Sequence, residues 1–435
     1  MNDNYSQTTN LSTIPIDYSW SFSDKTTKDT SYITHGYYTY PAKFIPQLAQ
    51  KLICENSNKG DIVIDPFMGS GTTVVEAIVS NRIGIGTDIN EIAHLLTKVK
   101  TTPIDNLILA DSYYEIEKDL VGQLNGKFEQ ALKEAILKVP NNERIDYWFL
   151  PEQKEKLALI LARILEIENK EVQNFFLITF AQILKTSSIW LQKSIKPTRD
   201  PNKKLYNPIK LFLAQSKKMI KKHYEFDKIL NSNVKKNIEQ FRKVQCSDSR
   251  NLPCENEKAA LIVTSPPYVT SYEYADLHQL PSLWFGFMED LSQFRQKFIG
   301  STYKNRENVD LKSVLAYQIV NNLKNKKQKE VENYFADMLE TFEEIKRVLK
   351  IGGRACIVIG NTEFQGVKIL NAEVFQEQFQ NIGFKTHNVI RREIPSKMLP
   401  STRDPETGKF GKANNNNIKM AYPTEYILIM EKMKI

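Results

Sequence analysis

The 435-residue sequence holds little of what would make a secreted, metal-stapled or membrane-spanning protein. Its four cysteines, Cys54, Cys246, Cys254 and Cys356, are scattered and form no CxxC pair, which argues against a disulfide framework and against a zinc site of the usual spacing. No metal is expected. No apolar run approaches the roughly 20 residues that cross a bilayer, and the polar N-terminal stretch lacks the basic-then-apolar order of a secretory signal. A soluble, cytoplasmic chain with no membrane contact is therefore expected. Also missing are the GxxxxGK[ST] phosphate loop and a clean GxGxxG dinucleotide fingerprint.

What is present is ordinary in bulk, with 41% hydrophobic and 25% charged residues, close to soluble globular averages. The length implies a main domain plus one sizeable insertion. Lys and Arg number 59 against 51 acidic residues, and the net charge of +8 permits a polyanionic partner. Basic clusters occur at Lys217, Lys218, Lys221 and Lys222, at Lys235 and Lys236, and at Lys324, Lys326, Lys327 and Lys329. Each taken singly reads as a solvated helix face.

Along the chain, Asp61–Asp65 is a short β-branched run ending in an acid, followed by a glycine-rich turn and the apolar stretch Val74–Val79. With the next run, Ile83–Asp88, this reads as strand, turn, helix, strand: a βαβ unit of a doubly wound α/β sheet. From Lys100 to Gln245 the period turns helical, as in Gln153–Glu168 and Val172–Trp190. Strand character returns at Ala259–Thr264, then at Arg354–Ile359 after a helix over Val331–Leu349, and finally at Phe384–Ile394 and Tyr426–Glu431. The expected organisation is a polar N-terminal segment (1–34), a catalytic domain in two pieces (35–99 and 246–435) and a helical insertion (100–245).

Two constellations carry chemistry. The turn Gly69-Ser-Gly71 lets backbone approach a ligand closely and presents helix N-terminal amides, although many such turns serve packing alone. Asp88, about twenty residues on at the end of the next strand, sharpens the reading, because a carboxylate there can accept both ribose hydroxyls of a nucleoside cofactor. The second is Thr264-Ser-Pro-Pro-Tyr268 after a buried strand. Two prolines make a rigid turn and remove two donors, leaving carbonyls and the Ser265 hydroxyl as acceptors for an amino group. Tyr268 offers a flat face for a base.

These residues resemble the amino-methylating DNA methyltransferases, in particular the subgroup with an SPPY motif that contains many N4-cytosine enzymes, and the likeness spans most of the chain. On that resemblance the fold is a Rossmann-like S-adenosylmethionine-dependent methyltransferase fold with a helical insertion. Asp65, Pro66, Phe67, Gly69, Ser70, Gly71, Thr72 and Thr73 form the cofactor loop, Asp88 is the ribose acid and Asp248 the adenine-side acid. The upstream segment with Tyr40, Pro41, Lys43 and Phe44 lies beside the methionine part of the cofactor, and Ser265, Pro266, Pro267 and Tyr268 form the catalytic loop. Downstream, Ile394–Lys397 and Thr402-Arg403 resemble a polar loop before the last strand.

The implied partners are double-stranded DNA carrying a short specific site and, in a restriction-modification system, a cognate restriction endonuclease. The implied reaction is methyl transfer from S-adenosylmethionine to the exocyclic amino group of a flipped base, cytosine N4 before adenine N6. No Pro-Cys pair in a catalytic place is recognised, which argues against carbon-5 methylation. The helical insertion or the stretch after Tyr268 would read the target. A non-catalytic DNA-binding protein and an RNA guanine-N2 methyltransferase stay open as rivals. His35 and His278 read first as structural hydrogen-bonders and Trp148 and Trp190 as core, while Arg199 and Arg403 are equally turn residues or phosphate contacts.

Overall fold

The computed structural model describes residues 10–40, 43–123, 128–194, 196–269, 274–287, 295–301, 306, 309–364, 366–394, 402–403, 419–420 and 424–434. Pro41, the loop residues Pro395–Lys397 and the run Asn414–Asn417 lie outside them, and of Thr402 and Arg403 only the backbone is described.

Seven strands form one sheet: β1 (Ile62–Asp65), β2 (Ile83–Asp88), β3 (Arg242–Cys246), β4 (Ala259–Thr264), β5 (Leu349–Ile359), β6 (Phe384–Glu393) and β7 (Thr424–Lys432). Their order is β3-β2-β1-β4-β5-β7-β6, with β7 antiparallel to both neighbours and the other pairs parallel. The central strands are short apolar runs because both faces of a parallel sheet are covered. Alternation decides which side chain serves which face. Val63, Leu261, Val263, Val358, Ile427 and Ile429 pack with helix α1 (Pro46–Asn56) and Trp20. Ile64, Ile262, Ile357, Ile359, Leu428 and Met430 pack on the opposite side. There, the helices Asn325–Val348 and Asn371–Asn381 supply Phe335, Phe342, Phe375 and Phe379.

Helix α2 (Thr72–Val79) follows β1, and α3 (Glu91–Thr101) follows β2. Beyond α3 a helical lobe is built on Phe175, Phe176, Phe180 and Phe212, with Trp148 and Trp190 stacked inside it at 5.1 Å between ring centroids. Its core is continuous with Leu96 and Val99 of α3 and with Leu280, Leu283 and Trp284, which follow the Ser-Pro-Pro-Tyr turn. The lobe therefore rests on the helix behind the glycine turn and on the segment after the Ser-Pro-Pro-Tyr turn.

One expectation shifts. The last lobe helix ends at Phe241, so the expected boundary at Gln245 falls inside β3. The strand escapes notice because Arg242-Lys-Val-Gln-Cys246 is a sheet edge with little apolar pattern. The described part of the N-terminal segment, from Asn10, packs on the sheet. Leu11 and Trp20 are buried, and Asp17 N donates to Arg391 O at 2.8 Å, which lays the segment along edge strand β6.

Gly71, at φ +72°, is the residue that starts α2, and a Cβ there would stand 2.5 Å from Thr97 Oγ1. Gly71→Ala should therefore cost about 2–4 kcal/mol, part from the left-handed backbone and part from the clash. Chemical denaturation should show Gly71→Ala/Thr97→Ala recovering part of that loss, and a strictly additive double variant would contradict the close approach.

Candidate active site

The site begins where β1, β2 and β4 end together. Asp65 closes β1, and its Oδ1 accepts Thr264 Oγ1 at 2.6 Å and Phe67 N at 3.1 Å. The bond to Thr264 ties β1 to β4 where the strand order reverses, the usual crevice for a ligand in an open α/β sheet. Burial raises the Asp65 carboxyl to about 6. Asp88 closes β2 with Oδ2 accepting Gly69 N at 3.0 Å and Oδ1 accepting Asn90 N at 2.9 Å, and burial raises it likewise to about 6. One carboxylate thus fixes the glycine turn to the neighbouring strand.

Gly69 sits at φ +44°, and a Cβ on it would meet the Tyr40 ring at 3.2 Å, so the upstream segment closes directly over the turn. The turn is also held from behind. Lys100 of α3 is buried and donates Nζ to Ser70 O, with burial holding its ammonium well below the ordinary lysine range. Glu76 of α2, also buried, accepts Tyr32 OH at 2.5 Å and lies 2.6 Å from His35 Nε2. Lys43 Nζ donates to His35 O at 3.0 Å. Burial lifts Glu76 to about 8, depresses His35 and lowers Lys43 to about 8. His35 thus holds the helix behind the turn.

One cavity collects most of the expected residues. Tyr40, Lys43 and Phe44 line it from the upstream segment, Asp65, Pro66, Phe67, Gly69, Ser70 and Thr72 from the β1 turn, and Asp88 and Asp248 from the ends of β2 and β3. Ser265 and Pro267 line it from the Ser-Pro-Pro-Tyr turn. Four expected residues stand back from it. Gly71 packs on Thr97, and Thr73 Oγ1 donates to Val263 O at 3.0 Å, pinning α2 to β4. Pro266 is buried. Tyr268 leans on Gly360 and donates its hydroxyl to Glu425 Oε2 at 3.3 Å, while Arg392 Nη1 holds Glu425 Oε1 at 2.6 Å.

Sequence reading missed Met68, Ile89, Asn90, Ser247 and Ser249, all lining the cavity beside residues it found. It also missed Lys297, Phe298 and Ile299, a wall without any periodic or motif signal. His278 is buried, neither ring nitrogen has a hydrogen-bond partner among the described residues, its ring lies 4.5 Å from Tyr40, and burial lowers it to about 4. A Pro-Cys dipeptide does occur, at Pro253-Cys254, but it precedes β4 and does not line the cavity, and burial raises its thiol.

The basic clusters are partly spoken for. Lys217 pairs with Glu117, Lys222 with Glu225, Lys235 with Asp227 and Lys327 with Glu330, whereas Lys218 and Lys221 are exposed. Arg199 lies over the Tyr147 ring at 4.3 Å. No helix among the described residues is long and apolar enough to cross a membrane.

A sheet of this order, with acids closing β1 and β2 beside a glycine turn, is a Rossmann-like methyltransferase fold. The chain belongs to the DNA methylase family of N6 and N4 methyltransferases, whose model matches residues 1–98 and 259–435. The unmatched stretch between them contains the helical lobe and β3. The chain is 27% identical to the Type II methyltransferase M.MvaI of Kocuria varians over 441 residues, covering 93% of this chain and 92% of that protein. It is 24% identical to the Type II methyltransferase M.BsoBI of Geobacillus stearothermophilus, covering 87% and 83%. A shorter match, 34% identical over 106 residues, joins 21% of this chain to 36% of the DNA adenine methyltransferase YhdJ of Escherichia coli. Membership makes the chain a DNA methyltransferase, and the family implies S-adenosylmethionine as methyl donor.

The raised Glu76 carboxyl has a defined sign. An acid whose folded value lies above its ordinary 4.5 stabilises the fold fully below that value and loses the contribution as pH climbs through about 8. Across about pH 5 to 8 the parent should therefore lose stability relative to Glu76→Gln, measured by denaturation at each pH. A pH-independent difference would place a charged Glu76 in the fold.

Proposed function

We propose that this chain is a site-specific methyltransferase of a restriction-modification system that methylates cytosine N4 on a base turned out of the DNA duplex. The observation that carries the reading is that Ser265 and Pro267 open on the same cavity as Asp65, Gly69 and Asp88. The two loops share one space.

The cavity suits a nucleoside-bearing cofactor. A carboxylate stands at the end of β2, and backbone approaches where a Cβ on Gly69 would crowd Tyr40. Asp88 would hold the ribose, Asp248 the adenine side, and Tyr40, Phe44 and the Lys43 ammonium the amino-acid end. Bound there, S-adenosylmethionine supplies a methyl group on a sulfonium, which departs as a neutral thioether.

The chain's own residues do the rest. Ser265 Oγ and the Pro266 carbonyl accept the two amino hydrogens and turn the nitrogen lone pair toward the methyl, and once the new N–C bond forms one of those hydrogens leaves the nitrogen as a proton to water. The Pro267 carbonyl is already taken, because Tyr334 OH donates to it at 2.9 Å, and that bond sets the pitch of the loop. Tyr268, braced by Glu425 and Gly360, presents its ring to the base. Removing the base from the stack costs a few kcal/mol, which stacking and the amino contacts offset. With a good leaving group in place, orientation and exclusion of water account for most of the acceleration. A second reading, adenine N6, has one observation in its favour, the local similarity to a DNA adenine methyltransferase.

Single-turnover transfer to duplex DNA, with the methylated nucleoside identified by mass spectrometry, tests the assignment. Tyr268→Ala should weaken target binding by about 1–3 kcal/mol and slow transfer with it. Ser265→Ala should leave binding intact and slow the chemical step by roughly tenfold or more, as expected for a lost hydrogen bond made at transfer. Unchanged single-turnover rates in both variants would remove the Ser-Pro-Pro-Tyr turn from the active site.

A further inference from the structure

The cavity wall that the sequence did not announce is tied to a residue with no assigned role. Asp337 lies on helix Asn325–Val348 and is fully buried. Its Oδ2 accepts Gly300 N at 2.8 Å, at the end of the wall formed by Lys297, Phe298 and Ile299. Its Oδ1 accepts Arg250 Nη1 at 2.9 Å and Arg306 Nη2 at 2.5 Å. Arg250 in turn clasps Asp248 on the opposite wall, Nε to Oδ1 at 2.8 Å and Nη2 to Oδ2 at 2.5 Å. One carboxylate therefore reaches both walls, the first through a backbone amide and the second through a bidentate arginine.

The same helix carries Tyr334, one turn earlier, on the Pro267 carbonyl, and Asn333 Nδ2 on Ser301 O at 2.9 Å. Tyr334 thus reaches the Ser-Pro-Pro-Tyr turn separately from Asp337, whereas Asn333 holds the residue next to Gly300. A buried acid held by two guanidinium groups and an amide is costly to leave half-paired, and its geometry is narrowly set.

We propose that Asp337 is a positioning residue for cofactor recognition, setting the gap between the Asp248 wall and the Phe298–Ile299 wall into which the adenine of S-adenosylmethionine fits. The inference rests on the cofactor reading above, which puts adenine beyond the end of β3. Asp337 touches neither cofactor nor base. Its effect falls on affinity for the adenosine moiety and not on the transfer step, which Tyr334 and the Ser265 loop govern independently.

Calorimetry with S-adenosylhomocysteine and with adenosine, alongside methyl-transfer kinetics, tests this on the full chain. Asp337→Asn keeps the shape and removes the charge, and it should weaken both ligands by roughly tenfold. KM for S-adenosylmethionine should rise in step, while kcat at saturating cofactor stays within about twofold of the parent. Arg250→Gln changes a partly buried partner and spares the buried carboxylate. It should weaken both ligands to a smaller extent, and Asp337→Asn should then cost less in that background than alone. A parent that fails to bind S-adenosylhomocysteine would overturn the cofactor reading itself. A parent that binds it, with Asp337→Asn and Arg250→Gln both binding equally well, would overturn the role of Asp337 alone. Loss of kcat without change in affinity would also overturn it. If Asp337→Asn does not fold, the Arg250→Gln affinities decide.

Discussion

The hydrogen bond from Thr264 to Asp65 is the contact on which the rest of the site depends. It joins the carboxyl ends of β1 and β4, the two strands between which the sheet reverses its order, and each strand then runs straight into one of the loops that line the cavity. Because Asp65 is buried and its Oδ1 also takes Phe67 N, the same carboxylate sets the first residues of the glycine turn. A shift of either strand would move one loop against the other. The spacing between the glycine turn and the Ser-Pro-Pro-Tyr turn is therefore a property of the sheet and not of the loops.

Around this joint the molecule buries several ionisable groups, and burial disfavours the charged form of each. Asp65, Glu76 and Lys100 are all buried within or behind the turn, and each is matched by a hydroxyl, a ring nitrogen or a carbonyl. Such groups add little net stability, since desolvation consumes most of what pairing returns. They do restrict the turn to one arrangement, which a group-transfer site needs more than it needs stability. The apolar cores do the complementary work. The lobe's core runs without a break into α3 and into Leu280, Leu283 and Trp284, so the lobe packs on the elements next to both loops.

Much of this was legible in the sequence, for reasons that differ by element. β1, β2 and β4 are β-branched or apolar runs closed by an acid or a threonine, and a buried parallel strand can hardly look otherwise. The Ser-Pro-Pro-Tyr turn is legible because two prolines allow few conformations. β3 was not, since an edge strand of Arg, Lys and Gln carries no core pattern. Gly69 and Gly71 look alike in sequence, yet one faces the cavity beneath Tyr40 and the other packs on Thr97. The wall at Lys297–Ile299 gave no signal because the group that holds its end, Asp337, lies 37 residues from Gly300 on a helix whose period reports only its apolar face. The polar N-terminal segment hid its docking because its buried apolar residues, Leu11, Trp20 and Ile33, are isolated in the sequence and much of the rest is held by backbone hydrogen bonds such as Asp17 N to Arg391 O.

If the two loops facing one cavity methylate an amino group on DNA, the product is recorded in the DNA itself. Base-resolved modification sequencing of genomic DNA from a methylation-free host expressing the chain measures this most directly. The account predicts N4-methylcytosine at one short recurring sequence. Unmodified DNA from a host expressing folded, cofactor-binding protein would contradict it, and N6-methyladenine at such a site would keep the catalytic site and reverse the choice of base.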